Sequence, residues 1–154
     1  MVATLECAAV ATLIPEFIVG LSARGVPADP DQPAGSTNCL WYSDAHSLSI
    51  GQEPLVTSKG EMDRIRAGKV YTEDTPLYRI VQNDRLTKLG AVAVMRADSD
   101  SFDEPGSMAT VHLHTPTTRI TVAGWTAESV LEIATRIAEK LRGMLDRQAR
   151  GPRH

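Results

Sequence analysis

The chain is short of aromatic side chains, at 5% of its residues, and of cysteine, of which it has 2. No run of about eighteen apolar residues occurs, so no membrane-spanning helix is expected. Positive charge is not in surplus: the formal net charge is −3, no basic stripe with interleaved aromatics is present, and nucleic acid is not expected as a partner. Phosphate loops, dinucleotide fingerprints, nucleophile elbows and zinc-protease helices are all missing, so no catalytic group and no cofactor is assigned by motif. The apolar stretch at residues 8–14 has neither the basic flank nor the cleavage site of a signal peptide. Two readings of the start remain: a cytoplasmic protein, or a Met1 that stands behind a removed export signal.

What is present describes one globular domain. A hydrophobic share of 42% and a charged share of 23% suit a folded chain of this length with an ordinary core. Val10, Leu13, Ile14, Phe17 and Ile18 recur at three- and four-residue spacing, which predicts an amphipathic helix over residues 5–21, broken or kinked at Pro15. Residues 24–37 carry Pro27, Pro30, Pro33, Gly25 and Gly35 and read as a loop. Residues 40–50 read as a strand that sends Leu40, Tyr42, Leu48 and Ile50 to one face, with a bulge or short turn near Asp44. Ser58 and Glu61 have capping-box spacing and open a helix over residues 59–67, with Met62 and Ile65 as its stripe and Gly68 as its stop.

Four further strands are expected at residues 75–81, 90–96, 107–114 and 119–123, the last two joined as a hairpin whose core face carries Val111, Leu113, Ile120 and Val122. Thr126 then caps a helix with Val130, Leu131, Ala134, Ile137, Ala138, Leu141 and Leu145 down one side. The prediction is an α+β domain over residues 1–147: a mainly antiparallel sheet of about five strands with helices on one face, a two-layer sandwich. Residues 148–154 are expected to form a flexible basic tail.

Three readings of Cys7 and Cys39 compete. Brought together by the intervening loop, they would form a staple worth roughly 3 to 4 kcal/mol; otherwise they are two unrelated buried thiols, or one is a nucleophile with a histidine base. The staple requires an oxidising compartment. His112 and His114 alternate on one strand and share a face, which suits two ligands of one metal, yet no motif supplies a third ligand. Because Val111 and Leu113 take the core, the histidines are expected on the solvent side or along a shallow groove. His46 has no supporting partner in sequence. Asp98, Asp100, Asp103 and Glu104 suggest calcium, but they miss the central glycine and distant glutamate of a calcium loop and read as a solvated turn. Of Trp41 and Tyr42, adjacent on a strand, one is expected in the core and the other at the surface, where an aromatic can anchor a ligand.

Glu6-Cys7 opening a helix, Gly35-x-x-x-Cys39-x-Trp41 leading into a strand, Leu89-Gly90-x-x-Ala93 and a final alanine-rich amphipathic helix together resemble the actinobacterial exported lipoproteins of unknown function, over most of the chain. No lipobox is present, and Ala91 stands where that family carries an aspartate. The resemblance implies a paired Cys7 and Cys39 and a domain tethered outside the membrane by a lipid anchor upstream of Met1. The function expected is a non-enzymatic extracytoplasmic binding or accessory domain of the cell envelope, membrane-anchored or secreted, its partner an unknown small molecule or envelope protein. The alternatives are a cytoplasmic ligand-binding or protein-interaction domain, such as an immunity or regulatory partner, and an enzyme with a cleft around His112 and His114.

Overall fold

The computed structural model describes residues 4–27, 29–55, 58–68, 78–97 and 108–151. An antiparallel sheet of seven strands organises it: β1 (Ser22–Gly25), β2 (Thr37–Tyr42), β3 (Ser47–Pro54), β4 (Tyr78–Val81), β5 (Val92–Ala97), β6 (Met108–His114) and β7 (Thr118–Thr126), laid side by side as β1-β2-β3-β7-β6-β5-β4. The helices are α1 (Cys7–Leu13), α2 (Ser58–Arg66), α3 (Asp84–Lys88) and α4 (Ala127–Arg150). The class is α+β, as the pattern of strands followed by a packed helix implies.

One face of the sheet holds the main core. Cys39, Trp41, Leu48, Ile50, Met95, Val111, Leu113, Ile120 and Val122 point to it, and α4 lays Val130, Ile133, Ala134, Ile137 and Leu141 across it. The side-chain oxygen of Thr126 accepts from the Ser129 amide and caps α4 as its sequence predicts. That helix continues through Arg150, beyond residue 148 where the tail is predicted. α1 ends at Leu13, and Pro15 opens a 3-10 turn over Pro15–Phe17; a proline missing its N–H suits the first turn of a new element but not the middle of a helix. Val10 and Ile14 are buried in the same core.

Two additional ties hold the N-terminal segment. Cys7 is disulfide-bonded to Cys39, with the Cα atoms 5.6 Å apart. The fully buried Gln52 receives the Leu5 amide at 2.7 Å and donates to the Leu5 carbonyl at 2.9 Å, serving that residue as a strand partner would.

Several expectations change. The predicted strand at residues 40–50 is two strands, reversed at residues 43–46, where the Ser43 amide donates to the His46 carbonyl at 2.7 Å. The reversal shifts the alternation, so Cys39 and Trp41 face the core while Leu40 and Tyr42 face away. β1, which follows the predicted N-terminal helix and runs into the predicted loop, pairs with β2 at the sheet edge. α3 is an unforeseen helix, capped by the Asn83 side chain, which accepts from the Leu86 amide at 2.9 Å. The sheet thus has seven strands where about five are predicted, and the helices do not all lie on one face.

α2 packs on the opposite face, where Met62 and Ile65 meet Val92 and Val94, with Tyr78 against them. β5 is therefore covered on both sides over residues 92–95, which explains the apolar run there where a one-sided strand would alternate. Gly124 is the extra residue of a bulge between β6 and β7, with φ +108°, where a Cβ would overlap the Ser47 carbonyl. The bulge keeps Trp125 on the core side, opposite Ala109. No helix among the described residues is long and apolar enough to cross a membrane.

Candidate functional site

The face of the sheet away from α4 carries the polar side chains of the same strands. On β6 the alternation that buries Val111 and Leu113 beneath α4 turns His112 and His114 to the other side, as predicted. The register then builds two rows across four strands. Glu53, Arg119, His114 and Val92 form one; Gly51, Thr121, His112 and Val94 form the other. α2 covers the valine ends of both rows and stops short of the polar ends.

A pocket of about 300 Å³ opens where that cover ends, lined by Glu61, Arg64 and Ile65 from α2, by Tyr78 from β4, and by His112, His114 and Arg119 from the hairpin. Within it, Arg119 donates from Nη2 to Glu53 Oε2 at 2.8 Å. His112 Nδ1 lies 3.1 Å from Thr121 Oγ1, a hydrogen bond across the two strands. His114 is only 5% exposed. Its Nδ1 stands 3.5 Å from Glu61 Oε2 without a hydrogen bond.

Burial, then the positive charge of Arg119, pushes His114 down to about 4. Burial, then Arg119, His114 and Arg96, does the same to His112, opposed by Glu53. Both imidazoles are neutral near pH 7, so the approach of Glu61 to His114 is not an ion pair at that pH. Two buried polar atoms of the lining find no hydrogen-bond partner among the described residues: His114 Nδ1 and Arg119 Nε. Buried groups of this kind are costly to leave unsatisfied, and their presence in one pocket marks a place where a ligand atom would be stabilised.

The other candidates fall elsewhere. Trp41 is 4% exposed in the main core and cannot offer a binding surface, whereas Tyr42 is 43% exposed. Both lie on β2, separated from β6 by β3 and β7, so the sheet does not bring them to the histidines. His46 packs on Trp125 with ring centroids 4.0 Å apart and planes inclined by 48°, on the same side as Phe17 and α4. Asp98, Asp100, Asp103 and Glu104 lie outside the described residues. Among the described residues no group of three or more histidine, cysteine, aspartate or glutamate side chains is arranged to hold a metal ion. A second hollow, of about 370 Å³, lies between α4 and the turn at residues 115–118, with Leu89, Pro116, Leu141 and Leu145 among its lining; it is largely apolar and includes neither histidine.

Sequence reasoning missed Arg119, Arg64 and Tyr78 as companions of the histidines, and met Glu61 only as a capping residue. A signal for Arg119 was available. In a hairpin turned at residues 115–118, His114 and Arg119 are the first residues to face each other, and Ile120 and Val122 already claim the core side. No known protein family, curated protein or solved structure matches the chain.

Proposed function

We propose that this protein is an extracytoplasmic domain of the cell envelope, of the exported-lipoprotein type, and that it binds a small polar molecule in the pocket between α2 and the β6–β7 hairpin. The observation that carries the binding reading is the pair of unpartnered buried atoms, His114 Nδ1 and Arg119 Nε, in the lining of one pocket. Beside them stand neutral histidine donors and acceptors and an apolar wall from Ile65 and Tyr78, the mixture found in small-molecule sites. The disulfide supports the compartment, since such bonds persist where the surroundings are oxidising. Resemblance to exported lipoproteins supports the same place.

Two measurements test this. A panel of amino acids, sugars and hydroxy acids, titrated while the ring protons of His112 and His114 are followed by NMR, should include members that shift both rings saturably. A panel that leaves both rings unmoved overturns the binding site. For the compartment, protein recovered from its own cells under immediate alkylation should carry no alkylated cysteine; two alkylated thiols would overturn an oxidising location.

A further inference from the structure

Resting on that binding reading, we propose that the pocket recognises a single carboxylate group, held side by side by Arg119 and His114. These residues are direct cross-strand partners on β7 and β6, and each carries a buried nitrogen without a partner. Arg119 Nε can only donate, and a neutral imidazole can donate from one of its nitrogens. Two adjacent donors match the two oxygens of a carboxylate, and hydrogen bonds to an ionised acceptor are about twice as strong as neutral ones. One bound group would satisfy both nitrogens.

Glu61 limits how much negative charge the pocket accepts. Arg64 and Arg119 line it and attract an anion, against Glu61 in the lining and Glu53 on Arg119. A dianion such as phosphate would set two negative charges beside Glu61, whose carboxylate is already 3.5 Å from His114 Nδ1. Ile65 and Tyr78 leave an apolar wall for the rest of the molecule.

The same NMR observation tests this with acetate, acetamide and inorganic phosphate at constant ionic strength and pH 7. Acetate should shift the His114 ring saturably, and acetamide, its neutral counterpart, should bind roughly tenfold more weakly or less. Arg119→Gln should weaken acetate by roughly tenfold. Because that variant also strips Glu53 of its Arg119 ion pair, Glu61→Gln serves as the second arm: it removes the opposing charge and should tighten acetate several-fold. Binding of acetate at pH 6 should take up protons, read by calorimetry in two buffers of different ionisation heat, because a carboxylate beside His114 favours its charged form. Acetamide binding as tightly as acetate, phosphate binding more tightly than acetate, or weaker acetate binding in Glu61→Gln each overturns carboxylate recognition. If other members of the small-molecule panel still shift both rings, the binding reading survives that failure. If nothing shifts them, both fall.

Discussion

Reduction of the Cys7–Cys39 bond changes no side chain other than the two sulfurs, so its effect can be worked out from the loop it closes. The cysteines are 32 residues apart, and opening a loop of that size returns about 3.7 kcal/mol of chain entropy to the unfolded state. With about 2.1 cal/mol/K of unfolding entropy per residue over 154 residues, the melting temperature should fall by about 11 °C. The native state should hardly change. Leu5 remains clipped to Gln52 by two hydrogen bonds, and Val10 and Ile14 remain buried, so α1 keeps its place without the bond. The assay is urea and thermal unfolding followed by circular dichroism, with and without a phosphine reductant, after a thiol titration confirms two free cysteines. The near-UV spectrum before unfolding should be unchanged and the midpoint lower. A midpoint that moves by less than about a quarter of the predicted shift would refute the entropic account. Loss of the native spectrum in reductant alone would show instead that the bond holds α1 in place.

Acid should weaken the fold through the two pocket histidines. Both sit at about 4 in the folded protein against 6.5 for the ordinary group, so the unfolded chain binds more protons between those values. Stability is therefore present in full above about pH 6.5 and falls as pH drops toward 4, with a slope of at most about 2.7 kcal/mol per pH unit for two protons. Among the described residues the charges facing them are Arg64, Arg96, Arg119, Glu53 and Glu61. Urea midpoints from pH 7 to 4.5 measure this, and His112→Asn with His114→Asn should flatten the window; an equal slope in that variant would refute the assignment. Gln52→Leu should cost about 2–5 kcal/mol, because it leaves the buried Leu5 amide and carbonyl without partners. Unfolding midpoints and amide exchange at Leu5 read that loss, and a cost below about 1 kcal/mol would mean that water replaces the side chain.

Local pattern alone identified α4 with its Thr126 cap, α2 with its Met62 and Ile65 stripe, and the β6–β7 hairpin with its core face. In each, the spacing of apolar residues and a nearby cap or turn residue suffices, and the partners lie within a few residues. It also placed His112 and His114 on one side of a strand, because the strand period is two. Tertiary structure decided what lies next to them. The pairing of β3 with β7 joins residues such as Glu53 and Arg119, 66 positions apart, and no local signal reports a contact of that range. The same holds for α2, whose stripe could have covered either face; the double-sided burial of β5 put it over Val92 and Val94 and left the pocket open at its edge. The reversal at residues 43–46 was hidden because Leu40, Tyr42, Leu48 and Ile50 share the parity of one continuous strand, and only the pairing of Trp41 with Leu48 shows that the core face changes parity across the turn. Sequence by itself thus determined the class, the main elements and the side of the sheet on which the histidines stand. Only the tertiary structure closed the disulfide and set His114 beside Arg119 in a half-covered pocket, since both depend on long-range register and not on any residue's own preference.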